Sequence, residues 1–300
     1  MNLWTELRAG AVLFEDDTAL VLNKPPGVSV MGERHGTDLA RLAEEAGEPV
    51  FPVHRIDKNT SGAILFAKQL RHHGDLTRQF NRRTVEKVYL AVVSAAATDA
   101  GSATDAARAA LAEVGVVDLP LSVGRKNRVR VAGNRADIGF DAATARWSLT
   151  AGAEFDHVKT YPSQSLLTDV TAGSDRATTG SGTATADAGA SDVGSGTMHS
   201  TDAAHRLLAV APLTGRRHQI RVHLAWIGQP IIGDPLFDRT AAASGLRTYL
   251  HAWRLGFDTA DGKRVDVTAP PDADFWQPLP GGAPAPTDLD QAYQRLRAQG

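Results

Sequence analysis

The densest run of polar residues is His54-Arg55-Ile56-Asp57-Lys58-Asn59-Thr60-Ser61-Gly62. It leads into Ser61–Lys68, an apolar stretch that reads as a buried strand. Loops carried by a rigid strand are where active side chains commonly sit. Asp57 is the one carboxylate of the run, and Arg55 and Lys58 flank it. Neighbouring cations favour an ionised carboxylate. That form suits a nucleophile or a stabiliser of positive charge, and not a general acid at neutral pH. A turn aspartate bonded to its own backbone would have the same local sequence. The residues of the run alone leave both readings open.

Other chemistries are less well provided for. With no cysteine in 300 residues there is no thiol nucleophile, disulfide framework or cysteine zinc site. His218 and His223 are five apart, and His72 and His73 are adjacent. Neither spacing puts two ligands one turn apart on a helix face, so no metal site is expected. The glycines near residue 180 are followed by no Gly-Lys-Ser/Thr, so they make no phosphate loop.

The elements that must position Asp57 can be read from periodicity. Ala11–Phe14 and Ala19–Asn23 read as strands, and Pro25-Pro26-Gly27 stops the second. Thr37 or Asp38 caps a helix through Ala46. Gln69–Phe80 reads as a polar helix with Leu70 and Leu76 on its apolar side. Thr84–Val93 reads as a strand whose facing is ambiguous, and residues 98–113 as an Ala-rich helix. Leu121–Val131 alternates valines with Arg128 and Arg130, as an exposed basic strand or hairpin would. His205–Pro212, Tyr249–Phe257 and Arg264–Thr268 read as strands. Thr214–Ile227 reads as a helix with Ile220, Leu224 and Ile227 in one stripe and Arg217 and Arg221 on another face. Residues 270–286 are Pro-rich loop, and Leu289–Arg297 is a terminal helix.

Composition bounds the rest. An apolar fraction of 42% with 22% charged residues is that of a soluble globular chain, with no run long enough to span a membrane. The net charge of −2 conceals two basic blocks. Residues 51–147 carry 15 basic and 9 acidic side chains, and residues 208–254 carry 6 and 2. Meeting on one face, they would make a field suited to a polyanion. Residues 168–204 are nearly all Gly, Ala, Ser, Thr and Asp, too apolar-poor to offset an ordering entropy of ~1–2 kcal/mol per residue. They are expected to form a low-complexity flexible insertion, acidic and away from any anionic partner, within a single domain spanning 1–300.

HRIDKNTSGAILFAK closely resembles the HRLD-x-x-TSG signature of the RluA-type pseudouridine synthases. Further motifs follow in that family's order. Asn23-Lys24-Pro25-Pro26-Gly27 resembles "NKP-x-G", and Lys87-Val88-Tyr89-Leu90-Ala91 resembles "K-x-Y-x-A". Thr214–His223 resembles "TGR-x-HQIR-x-H", and Ile231-Ile232-Gly233-Asp234 and Leu250-His251-Ala252 continue the series.

The resemblance implies an α+β fold: a mixed, mainly antiparallel central sheet flanked by helices, with a central cleft. It implies isomerisation of uridine to pseudouridine in structured RNA, tRNA or rRNA, without a cofactor. It implies three catalytic residues: Asp57, acting at the sugar; Arg221, pairing with it; and Tyr89, stacking on uracil. A stacked uridine must first be everted, and Arg55 would fill the vacated place, unless it merely pairs with Asp57. Further RNA contacts would come from His54, Thr60, Arg216 and His218, and from Arg82, Arg83, Arg125 and Lys126 in the basic blocks. No membrane or DNA partner is expected, and a cytoplasmic monomer is the default.

Many relatives carry an RNA-binding module ahead of the catalytic domain. Here the "NKP" motif begins by residue 23, so that module is expected to be missing. A catalytically silent RNA-binding protein on the same fold is the competing reading, and intact Asp57, Tyr89 and Arg221 oppose it. A glycoside hydrolase would need a second carboxylate that the Asp57 loop does not offer.

Overall fold

The computed structural model describes residues 3–32, 38–94, 111–170 and 205–299. The expected helix at 98–113 and the insertion at 168–204 fall largely outside these residues. Fifteen strands and six α-helices are described. The strands are β1 Val12–Glu15, β2 Ala19–Lys24, β3 Phe51–Pro52, β4 Ser61–Ala67, β5 Glu86–Ser94, β6 Gly115–Asp118, β7 Leu121–Val123 and β8 Val129–Val131. They continue as β9 Ile138–Asp141, β10 Arg146–Leu149, β11 Thr160–Tyr161, β12 Gln164–Asp169, β13 His205–Pro212, β14 Leu250–Asp258 and β15 Arg264–Thr268. The helices are α1 Leu3–Ala11, α2 Leu39–Glu45, α3 Leu70–Arg82, α4 Gln219–Trp226, α5 Arg239–Ala243 and α6 Pro286–Arg297.

One twelve-stranded sheet runs β1-β2-β4-β14-β5-β13-β12-β6-β10-β9, with β15 on β14 and β3 on β4. Its pairings are antiparallel except β4 with β14 and β6 with β10. A separate sheet of three strands, β11-β7-β8, holds the expected basic hairpin. The architecture is α+β, a mixed and mainly antiparallel sheet flanked by helices.

Side-chain alternation explains why the sheet is covered on both faces. In β4 all seven residues are buried. Ile64 and Phe66 join Leu20 and Leu22 of β2 under Trp4 of α1 and Leu39, Leu42 and Ala43 of α2. Ala63, Leu65 and Ala67 join Ala19 and Val21 on the opposite face, where Leu76 of α3 and Phe257 cover them. A strand buried on both faces needs apolar residues throughout, which is why SGAILFA shows no polar alternation. The largest core lies beyond β5, where Leu90, Val92, Leu208 and Val210 pack with Val222 and Leu224 of α4 and Leu296 of α6.

Gly62 fixes the start of β4. Its φ of +106° lies in the region that favours glycine, and a Cβ there would lie well inside the van der Waals contact distance of the Ala252 carbonyl oxygen and clash with it. The parallel pairing of Ser61 and Gly62 with His251 and Ala252 requires that close approach. It delivers the preceding loop, residues 53–60, to the middle of the sheet.

Several sequence expectations need correction. The helix expected at Thr214–Ile227 begins only at Gln219, because His218 adopts a left-handed φ of 56° and Thr214–Arg217 form a turn. Arg217 is therefore not on a helix face with Arg221; its guanidinium donates to the Asn127 carbonyl. Leu70 opens α3 but is 68% exposed, and Leu76 alone is buried there. Thr168, Asp169 and Val170 are buried and ordered, so the insertion cannot start at 168. Asp38 caps α2 by accepting from the Arg41 amide.

Candidate active site

The loop 53–60 is tied down from below. Buried Lys24 of β2 spends its three donors on the carbonyls of Pro25, Val28 and Lys58, at 2.9, 2.8 and 3.0 Å. The Gly27 amide donates to the same Lys58 carbonyl, and the Thr60 amide closes a turn on Asp57. Burial pulls the Lys24 ammonium down to about 7, against the attraction of Asp57. Ile56 points into the core, and His54 accepts from the Leu65 amide at 3.0 Å while stacking on Phe80. Burial, with the charge of Lys87, holds His54 neutral with a pKa of about 3.

Asp57 emerges from this loop facing α4. Arg221 Nη1 donates to its Oδ2 at 2.7 Å. The same guanidinium donates through Nε and Nη2 to the two oxygens of fully buried Asp234, at 2.7 and 2.8 Å. Burial opposes the charge on Arg221, but Asp234 and then Asp57 outweigh it and push its pKa up. The second oxygen of Asp57, Oδ1, lies 3.6 Å from His218 Nε2, and both residues line the cleft. Arg55 is exposed and takes no part in the pairing, so the Arg55–Asp57 ion pair that the sequence left open does not form.

The turn before α4 is built around Gln219. Its Oε1 accepts from Thr214 Oγ1 and the Arg216 amide, and its Nε2 donates to the Gln164 carbonyl and Ser165 Oγ. Ser165 in turn donates to His223 Nδ1, and His223 Nε2–H donates to the Leu119 carbonyl. The two polar residues flanking Arg221 in HQIRVH thus anchor its helix, leaving Arg221 to the cleft.

Tyr89 of β5 completes the wall. Burial, and then Asp57, push its hydroxyl up, so the phenol stays protonated. Glu86 and Lys87 resolve the ambiguous facing of this strand. Lys87 and Tyr89 face the cleft, while Glu86 lies 3.9 Å from Arg264 and 3.8 Å from Arg297.

Two adjoining cavities, of about 260 and 620 Å³, share Asp57, Arg55, Thr60, His218 and Arg221 in their walls. The larger is also lined by His54, Arg83, Lys87, Tyr89, Arg216 and Arg217. Six cations therefore surround one carboxylate, an arrangement for an anionic ligand. Of the residues named from sequence, Arg82 and Arg125 lie on exposed surface outside this lining. Lys126 stands in the turn between β7 and β8. Sequence reasoning gave no role to Asp234, Lys24 or Gln219, although each stands in a quoted motif.

The profile of the RNA pseudouridylate synthase family matches residues 18–226. The chain is 30% identical over 259 residues to the dual-specificity RNA pseudouridine synthase RluA of Vibrio vulnificus, covering 85% of this chain and 78% of that one. It is 31% identical over 286 residues to the ribosomal large subunit pseudouridine synthase C of Vibrio cholerae, covering 89% and 68%. Among solved structures, human RNA pseudouridylate synthase domain containing 4 superposes with a TM-score of 0.58 at 20% identity, over 98% of this chain and 95% of that one, and so shares the fold.

Proposed function

The chain belongs to the RNA pseudouridylate synthase family, and from that premise we infer that it isomerises uridine to pseudouridine in structured RNA, ribosomal or transfer. Relatives bearing both kinds of name support this substrate range. The observation that carries the site assignment is the Asp57–Arg221 pair, one oxygen bound at 2.7 Å and the other facing a cation-lined cleft.

The reaction breaks the bond from uracil N1 to C1′ and joins C1′ to C5. The C5 proton is lost and a proton is gained at N1, so atoms balance and no electron acceptor is needed. Asp57 Oδ1 acts at the sugar, as nucleophile at C1′ or base at C2′. Arg221 binds the carboxylate by a charge-assisted hydrogen bond and aims it. Tyr89 holds the ring by stacking and keeps its hydroxyl proton, so it serves as a donor rather than a base.

An everted nucleotide leaves a gap in the RNA stack. Arg55, exposed at the mouth of both cavities, fills it with a planar guanidinium. Arg83, Arg216 and Arg217 on the rim, with the hairpin around Arg125, meet phosphates and set position rather than sequence. The residues lining both cavities come from one chain, which supports a monomer as the active form, and a cytoplasmic location belongs to the same reading.

The test is release of tritium from transcripts of tRNA and rRNA labelled at uracil C5. The wild type should release it. Asp57→Asn should abolish release while RNA binding persists. A wild-type protein that binds these RNAs and releases no label would be a silent binder instead.

A further inference from the structure

Lys87 is an unusual lysine. It stands half-buried in the cleft wall, two residues before Tyr89 on the same face of β5. Among the described residues its ammonium has no hydrogen bond and no ion pair. The elements packed around it are the end of α3, the turn 214–218 and the loop carrying His54. Their charged groups lining the cleft are the cations Arg83, Arg216, Arg217 and Arg55 and one carboxylate, that of Asp57 on the His54 loop. Glu86, its nearest carboxylate in sequence, belongs with Arg264 and Arg297. Gly215 faces the amine, and a Cβ there would lie 3.8 Å from Nζ. Burial, and then Arg83, pull the amine down to about 8.

An ammonium kept out of water without an anion is a costly arrangement. A fold retains it cheaply only if an anion arrives from outside. Asp57 is not that anion: Arg221 binds its Oδ2, His218 stands beside its Oδ1, and among the described residues it forms no ion pair with Lys87. Two residues along a strand span about 7 Å, which is comparable to the reach from a nucleobase across its sugar to its phosphate. With uracil against Tyr89, Lys87 stands where the backbone must pass. Resting on the RNA isomerase reading, we propose that Lys87 is an anion subsite of the cleft that binds a phosphodiester oxygen flanking the everted uridine. The contact forms on docking and tightens when the nucleotide leaves the stack, so it adds to RNA binding and favours the everted state.

The probe is the smallest synthetic RNA hairpin from which wild type releases C5 tritium, made also with a neutral methylphosphonate on the 5′ or the 3′ side of the target uridine. Neutralising one of these linkages should lower kcat/KM on the order of tenfold to a hundredfold for wild type. Lys87→Gln should cost about as much on the natural hairpin, and lose little more on the neutral one. If both neutral hairpins react like the natural one, the subsite is refuted, whatever the fate of the variant. Losses that simply multiply would refute it equally. A wild type inactive on every RNA would sink the isomerase reading instead. The subsite is then judged by tRNA binding as a function of salt. Lys87→Gln should lower the slope of log affinity against log salt by about 0.9, and an unchanged slope would overturn the proposal.

Discussion

Arg221 is held by Asp234 through two parallel hydrogen bonds, which leave only Nη1 to reach Asp57. Asp234 is fully buried and also accepts from the Leu236 amide. The pair fixes the guanidinium plane, and that plane aims the bond to Asp57. Asp234→Asn keeps the size but, with its oxygen held by the two donors on Oδ1, replaces the acceptor facing Nε by a donor. We expect kcat to fall on the order of tenfold to a hundredfold, with KM for RNA nearly unchanged and stability reduced by about 3–5 kcal/mol. Arg221→Lys should fail similarly, since one ammonium cannot bridge both carboxylates in this geometry. A variant that keeps full kcat would show that Asp234 does not position Asp57.

Gly62 offers a test of the fold beneath the site. The positive φ and the adjacent Ala252 carbonyl both exclude a side chain. Gly62→Ala should therefore cost more than the ~1–3 kcal/mol typical of a residue held in a sparsely populated backbone conformation alone, and lower Tm by several degrees. Because Gly62 sets where Asp57 emerges, activity should fall even at temperatures where the variant stays folded. An unchanged Tm would mean that β4 and β14 can separate without loss.

Much of this was legible in sequence. Elements whose pattern is local, such as His205–Pro212 and Arg264–Thr268, fall where periodicity puts them. The small strands β3, β6, β9, β10 and β11 escape a sequence reading, because two to four residues carry no periodic signal and are defined by partners distant in sequence, and β12 escapes it because its six residues run without alternation into the apolar-poor stretch. The start of α4 was misplaced for a physical reason. Arg216 and Arg217 suit a helix by propensity, but Gln219 captures the Arg216 amide and Thr214 hydroxyl and bends the chain at His218. Motifs alone single out Asp57, Arg221 and Tyr89. Their convergence, and the part of Asp234 in it, required the sheet order β4-β14-β5 that brings residues far apart in the chain to one cleft.

The buried histidines predict how the protein unfolds in acid. Burial pulls His54 to about 3 and His223 and His251 to about 4. His251 Nε2–H donates to the Ala269 carbonyl and its Nδ1 accepts from Ser61, so it has no room for a second proton. Unfolded, each histidine titrates near 6.5. Between about pH 6.5 and 4 the unfolded chain thus binds more protons than the folded one, and stability falls as pH falls. Urea midpoints at pH 7.5 and pH 5, above most carboxylate titration, should differ by several kcal/mol in unfolding free energy. A loss corresponding to less than one proton would mean that these rings titrate normally in the fold.

Lys87 should show a stability cost for its role. Its folded pKa of about 8 lies below the unfolded value near 10.4. Across that window the unfolded state binds the extra proton, so stability rises with pH, and the burial penalty is fully present below pH 8. Lys87→Met keeps the aliphatic packing and removes the ammonium. At pH 7 we expect it to be more stable than wild type by roughly 1–3 kcal/mol, while modifying RNA less well. It should also gain one proton's worth less stability between pH 8 and 10. A destabilised Lys87→Met would show that the amine has a partner within the protein.

The ends of the 171–204 stretch decide whether it can be removed. Strands β12 and β13 are antiparallel neighbours, with Asp169 opposite Leu208, and the Val170 amide donates to the Leu207 carbonyl at 3.0 Å. Just before the chain departs, Asp169 accepts two hydrogen bonds from Arg206, and its carbonyl accepts one from Arg295 of α6. The exit and return points are therefore already joined as the base of a hairpin. Deleting 172–200 leaves five residues, 171 and 201–204, between Val170 and His205, within the common range of hairpin loops. Shortening a closed loop changes its closure entropy only slowly with length. The deleted protein should fold, keep its Tm within a few degrees and release C5 tritium from RNA at close to the wild-type rate. An insoluble product would place part of the β12–β13 pairing energy in the removed residues, and a soluble but inactive one would place an RNA contact there.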